Sequence, residues 1–185
     1  MQSVKILLLA TGAAVVYGIL QDQVTARVCV AYFTVLHPPV FNTEDPTALA
    51  FGWGVLATWW VGVLLGVPLA AVARAGSRPK LTARDLVKPL LVVMACVGVI
   101  ALLAGVAGYC LGADDAARFL GPLAEQVPRE KHVALLADAW AHTAAYTGGF
   151  LGGIILSIWT WRRRRLQRQG GRHTVIRPRT RLTAW

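Results

Sequence analysis

From Thr143 to Trp161 the chain carries no charged residue, and four consecutive arginines, Arg162 to Arg165, follow at once. An apolar stretch of this length matches a hydrocarbon core of ~30 Å, with Trp159 and Trp161 at one interface and the arginines held outside it. The preceding residues, Lys131 to His142, are amphipathic, so Lys131–Arg165 reads as one long helix that begins wet, crosses a membrane and ends basic. Hydrophobic residues make up 56% of the chain and charged residues 15%, a balance that excludes an ordinary soluble domain.

A net charge of +10 raises the question of nucleic acid, which the placement of the basic residues answers. They lie mainly in Arg74–Lys88 and Arg162–Arg181, both beside apolar segments. Basic residues so placed set orientation and attract anionic lipid head groups, with Arg162, Arg163, Arg164 and Arg165 the expected contacts, and nucleic acid is disfavoured as a partner.

Three further apolar segments precede the last, giving four spans at about 4–20, 48–72, 89–111 and 141–161. The first could also be the core of a signal peptide, with Val24-Thr25-Ala26 resembling a cleavage site, but its length and the small residues Gly12, Ala14 and Gly18 favour a retained, packed helix. Residues 21–46 read as an external loop with a β-like core, since small and apolar residues alternate with polar ones through Val24–Val30. Asp45-Pro46 supplies an N-cap and a first-turn proline, and Thr82 with Asp85 resembles a capping box. Pro68 predicts a kink in the second span, where Trp59 and Trp60 are expected to fill space against glycine faces. A short external amphipathic helix is expected from Asp114-Asp115 through Phe119 and Leu120. The fold class is therefore an all-α membrane protein: a four-span bundle over 1–165, the extended external loop, the short external helix, and a basic tail at 166–185 that is expected to be flexible.

With both termini inside, the internal segments hold fifteen of the nineteen Lys and Arg residues. That asymmetry predicts a bacterial cytoplasmic membrane with N- and C-termini cytoplasmic. It also puts Cys29 and Cys110 on the external side, where a disulfide is allowed, and buries Cys96 in the third span.

The segment Tyr17–Cys29, with Tyr32-Phe33-Thr34 and His37-Pro38-Pro39, resembles a family of small polytopic bacterial membrane proteins that has no known activity. Gly52–Val55, Trp59–Gly62, Arg78–Leu86 and Trp140-Ala141-His142 extend the resemblance over most of the chain. Relatives of that kind carry histidine where this chain has Gln21 and glutamate where it has Ala31, so the resemblance transfers no site through those two positions.

Chemistry has one clear candidate location. Asp138, His142 and Tyr146 are four residues apart in turn and share a helical face at the outer end of the last span, where the loop could bring Asp22, Arg27 or His37 to them. The spacing leaves open a divalent-metal site, a proton-coupled polar site, recognition of a small ligand, and a purely structural hydrogen bond to the loop. No cofactor is implied beyond that metal. The pairs Gly62/Gly66, Gly148/Gly152 and Gly149/Gly153 are small-xxx-small patterns that bring backbones close, within the chain, in a homo-oligomer or against another membrane protein. The leading expectation is a non-enzymatic scaffold or accessory subunit of a membrane assembly; the alternative is a metal- or ligand-binding protein, enzyme or oligomeric transporter with its polar site at the external end of the last helix.

Overall fold

The computed structural model describes residues 1–115, 117–118, 120–122 and 124–174. The described residues are helical with no strand: α1 Gln2–Val28, α2 Ala31–Thr34, α3 Pro46–Leu56, α4 Trp59–Arg74, α5 Ala83–Ala113 and α6 His132–Thr174, with 3₁₀ turns at Ala124–Gln126 and Arg129–Lys131. Among the described residues three helical segments are long and apolar enough to cross a membrane, namely Gln2–Val28, Pro46–Arg74 and Ala83–Ala113. Their outward faces carry large apolar side chains such as Leu64, Val67, Leu91, Leu102 and Leu103. Helix α6 carries Ile154, Ile155 and Ile158 outward in the same way.

The predicted β-like loop is not present, because α1 runs through Val28. Gly18, Asp22, Thr25, Ala26 and Cys29 are all buried, and their spacing of three or four residues is that of one helical face. The polar residues of Val24–Val30 alternate by composition only, and burial of this stripe keeps them helical. Asp45 caps α3 through the Ala48 N–H at 2.7 Å, with Pro46 in the first turn. Thr82 and Asp85 form the capping box at the start of α5. Among the described residues of the expected 114–120 helix none is helical, and Asp115 has a positive φ of 55°; Phe119 lies outside the described residues. The 166–174 part of the basic tail continues α6, and residues 175–185 lie outside the described residues.

Helix α1 packs closely along α3 and α4, and α5 along α6, so the bundle is two tight pairs laid against each other. Glycines set the first pair. A Cβ on Gly54 would lie 2.6 Å from the Ile19 Cα, and one on Gly62 would lie 2.6 Å from the Thr11 Cα. Gly66, one turn further along α4, is buried against the same helix, but a Cβ there would meet side chains, the Ala10 Cβ and the Leu7 Cδ1, each at 3.0 Å. The two members of the Gly62/Gly66 pair are thus unequal: Gly62 lets backbone approach backbone, whereas Gly66 only makes room for side chains of α1. Their shared face is covered from within the chain.

The other two predicted pairs divide in a similar way. A Cβ on Gly152 would meet the Val93 side chain of α5, and one on Gly148 would sit in ordinary contact with Val97. Gly153 faces α4 instead, where a Cβ would lie 2.9 Å from the Leu65 methyls. Gly149 differs from all of these, because a Cβ there would meet nothing within 4 Å, so it packs against no helix.

The second apolar segment is interrupted at Ala57–Thr58, between α3 and α4, while Pro68 lies within the uninterrupted α4. The Thr58 hydroxyl donates to the Gly54 carbonyl, which satisfies an acceptor freed by the break. Trp59 and Trp60, expected to fill the interior, are 49% and 45% exposed on the bundle's outside. The buried apolar side chains gather at the two ends: Ala26, Tyr32, Phe33, Leu49, Trp53 and Leu135 at one, and Ile6, Leu69, Leu81, Leu86 and Leu156 at the other. The middle is thinner, with Val97, Ala101 and Ala145.

Candidate functional site

The functional candidates converge where α1 meets α6. His142 Nε2 lies 3.1 Å from Asp22 Oδ1, and both residues are buried. His142 Nδ1 lies 3.1 Å from the Asp138 main-chain carbonyl, which can only accept, so Nδ1 carries a proton. The contact at Nε2 then holds one more proton, either on the imidazole as an imidazolium–carboxylate pair or on Asp22 as a neutral pair. The imidazole is stacked against Tyr32 at 4.3 Å between centroids and lies 6.3 Å edge-on from Phe33. Helix α2, a single turn, places these two rings over it.

His37 completes the cap. Its Nδ1 donates to the Tyr32 carbonyl at 2.8 Å, and its ring rests 4.6 Å from Trp53 and 5.0 Å from Tyr32. Tyr146, one turn beyond His142, donates to the Ala57 carbonyl at 3.5 Å and so reaches the break between α3 and α4. Tyr17 donates to Gln21 Oε1 at 3.3 Å on the opposite wall.

Asp138 sits one turn above His142 with its side chain buried and Oδ2 without a hydrogen-bond partner. Burial, with the negative charge of Asp22 adding to it, pushes its carboxyl up to about 8, against a smaller opposing pull from the Cys29 backbone N–H. Asp138 is therefore a neutral acid at pH 7. Burial likewise raises the Tyr32 phenol, so that ring stays neutral above the imidazole.

Below this cap a cavity of about 140 Å³ runs between the two helix pairs. Its walls are apolar along most of their length, from Ala10, Ala14, Val61 and Leu65 to Val93, Met94 and Leu156, and Gly149 opens onto it. Its polar groups are concentrated at one end: Tyr17, Gln21, Asp22, His37, Thr58, His142 and Tyr146. No family model, curated protein or solved structure matches the chain.

Of the six polar candidates, the structure thus brings together Asp22, His142, His37 and Tyr146, with Asp138 behind them, and leaves Arg27 out. The Arg27 side chain is exposed and bonds Gln23 and Thr47 on the surface. Among the described residues no three His, Cys, Asp or Glu side chains are arranged to hold a metal ion, and the Asp22–His142 contact supplies two donors. The Cys29–Cys110 bridge is not formed: Cys29 is buried beneath the cap, while Cys110 is exposed on α5, as is Cys96.

Sequence reasoning missed Tyr17, Gln21, Tyr32, Phe33 and Trp53 as parts of the site. The signal for the first two was the spacing Tyr17, Gly18, Gln21, Asp22, a helical face that a reading of residues 21–46 as loop discards. It also grouped Arg164 with the lipid-facing arginines. Arg164 is 2% exposed and donates to four carbonyls: Val72 in the last turn of α4, and Ala75 at 2.8 Å, Arg78 at 3.1 Å and Pro79 at 2.7 Å in the α4–α5 connection. Its neighbours behave differently: Arg163 and Arg165 lie over the rings of Trp159 and Trp161 at 5.2 and 5.5 Å.

Proposed function

We propose that this chain is a four-span protein of a bacterial cytoplasmic membrane that binds a small amphiphilic molecule inside its bundle. The fourth crossing is residues 141–161 of α6, with both termini cytoplasmic and the Asp22–His142 end external. Support for the crossing comes from the uncharged stretch Thr143–Trp161, its outward isoleucines and its packing along α5. The anionic head groups of the cytoplasmic leaflet are met by Arg162, Arg163 and Arg165, while Arg164 serves the fold.

The observation that carries the binding role is the cavity itself, whose lining is apolar apart from a cluster of hydrogen-bonding groups, Tyr17, Gln21, Asp22, His37, Thr58, His142 and Tyr146. Ligand sites in helix bundles have this division, with apolar walls for the body of the ligand and a few convergent polar groups that fix its orientation. A structural hydrogen bond between two helices needs no adjoining cavity, and a packing glycine at 149 would face a neighbour.

The test is the content of the protein after purification. Reconstituted in phospholipid nanodiscs and extracted with organic solvent, the wild-type chain is expected to yield about one retained amphiphile per protein that Gly149→Phe lacks, at equal thermal stability. Identical extracts from the two proteins would reject the binding role. A metal-free chain that instead retains a fixed protein partner at constant ratio, with no small molecule, would return the assignment to an accessory subunit.

A further inference from the structure

Given the internal binding site just proposed, we infer that its ligand is a small uncharged hydrogen-bond donor, an alcohol or phenol of no more than about six carbons. Volume sets the upper limit. An apolar space of about 150 Å³ takes one benzene ring, and the cavity here measures about 140 Å³. A single ring or a short aliphatic chain suits that space, whereas a membrane lipid with its acyl chains exceeds it.

The charge follows from counting protons at the Asp22–His142 contact. The Nδ1 proton of His142 is committed to the Asp138 carbonyl, and one further proton is shared between Nε2 and Asp22 Oδ1. Whether that proton rests on the imidazole or on the carboxyl group, the pair is neutral as a unit. No lysine, arginine or glutamate lines the cavity. With the His37 ring neutral, a charged guest would leave water and meet no net counter-charge, which is costly for either sign.

Hydrogen-bond accounting then selects the head group. Thr58 spends its hydroxyl proton on the Gly54 carbonyl, Tyr17 on Gln21 Oε1 and Tyr146 on the Ala57 carbonyl. Each of these oxygens keeps only lone pairs for a guest. Among the described residues Asp22 bonds through Oδ1 alone. Its Oδ2 is an acceptor in both proton arrangements, because the shared proton lies at Oδ1. The Gln21 amide N–H groups are the opposing donors. Unused acceptors thus outnumber unused donors, so a guest that brings an O–H can satisfy one of them and still accept from Gln21. An ether of the same size leaves that acceptor unpaired.

The experiment uses the full chain in nanodiscs at pH 7.5, above the ordinary imidazole range. The probe is an alcohol of about four to six carbons carrying a diazirine, and the readout is its photolabel on Val93–Val97 and Ala145–Gly153, the segments of α5 and α6 that contribute to the lining. Competitors are pentan-1-ol, phenol, butyl methyl ether, pentylammonium, pentane-1-sulfonate and decan-1-ol, compared at equal concentration in the membrane. The ether is an isomer of pentan-1-ol without the donor. Pentan-1-ol and phenol are both expected to displace the label at least about tenfold more effectively than the other four, and the lower midpoint of the two distinguishes an aliphatic from an aromatic source. Equal displacement by the ether, with the label abolished in Gly149→Phe, would overturn the donor requirement while leaving the internal site in place. Equal displacement by the ammonium or the sulfonate would overturn the uncharged head, and by decan-1-ol the size limit. The ranking is read in the wild type and stands whether or not Gly149→Phe folds. Absence of label from these segments, or label that no competitor removes, would reject the internal site itself.

Discussion

The imidazole of His142 and the carboxyl group of Asp22 meet at 3.1 Å across 120 residues of sequence, and the contact ties the first helix to the last. Because Nδ1 of the same ring is committed to the Asp138 carbonyl, the ring orientation is fixed from both sides. Each helix pair packs through its own glycines, and this polar contact, with the cap of Tyr32, Phe33 and His37, joins the pairs at one end.

Removing either partner is therefore expected to loosen the bundle. Asp22→Ala and His142→Ala should each cost about 2–4 kcal/mol, because each strands a buried polar group. The double variant should recover about 1–3 kcal/mol of the summed loss. Thermal unfolding of the four proteins in one nanodisc composition measures this; additive losses would contradict a direct pairing.

Asp138 gives the protein a pH-dependent stability of definite sign. Its carboxyl is raised to about 8 in the fold and lies near 3.8 when unfolded, so between these values the folded state holds a proton that the unfolded state has lost. The stabilising effect is full at low pH and is lost as pH rises through about 8. The melting temperature of the wild type should fall from pH 5 to pH 9, and Asp138→Asn, which cannot ionise against Asp22, should flatten that slope. Parallel slopes in the two proteins would contradict the assignment.

At the opposite end the four arginines separate by role. Arg164→Ala leaves the carbonyls of Val72, Ala75, Arg78 and Pro79 without their donor, and should cost about 2–4 kcal/mol. Arg164→Lys should not restore this, since an ammonium cannot span the four acceptors as the planar guanidinium does. Arg162→Ala, at an exposed position, should change stability by less than about 0.5 kcal/mol. Limited proteolysis between α4 and α5 provides a second readout, accelerated only by the Arg164 variants.

Two glycines of similar sequence setting make opposite predictions. Gly54→Ala drives a methyl into the Ile19 backbone and should cost about 1–3 kcal/mol through forced separation of α1 and α3. Gly149→Ala meets open space and should be neutral, or stabilising by up to about 1 kcal/mol through the higher helix propensity of alanine. Thermal unfolding distinguishes the two directly, and a large loss at Gly149 would mean that the cavity is filled by protein.

Local signals in the sequence carried through wherever one residue type has one structural use. Asp45-Pro46 and Thr82 with Asp85 start helices as their chemistry requires, and the spacing of Asp138, His142 and Tyr146 does put them on one face. The failures fall where a distant partner decides. Gln21-Asp22-Gln23 reads as the polar end of a span because His142, which receives Asp22, lies on another helix. Gly62/Gly66 and Gly149/Gly153 have the same spacing, yet α1 covers the first pair while Gly149 faces the cavity, a difference that the pattern itself does not contain. Arg164 has the same side chain as Arg162, Arg163 and Arg165, and only the position of the α4–α5 connection makes it the buried one. The break at Ala57–Thr58 carries no proline or glycine at the two residues themselves, whereas Pro68, the conspicuous helix breaker, sits in α4 without interrupting it.

The central claim, that a small amphiphilic molecule occupies the space between the helix pairs, is tested most directly by photo-cross-linking. A short alcohol of about four to six carbons carrying a diazirine, a size suited to a cavity of about 140 Å³, activated in nanodiscs and mapped by peptide mass spectrometry, should label Val93–Val97 of α5 and Ala145–Gly153 of α6. Labelling there should disappear in Gly149→Phe. Label confined to outward residues such as Leu102, Leu103, Ile154 and Ile155, unchanged by that substitution, would place the probe in the surrounding lipid and contradict the account.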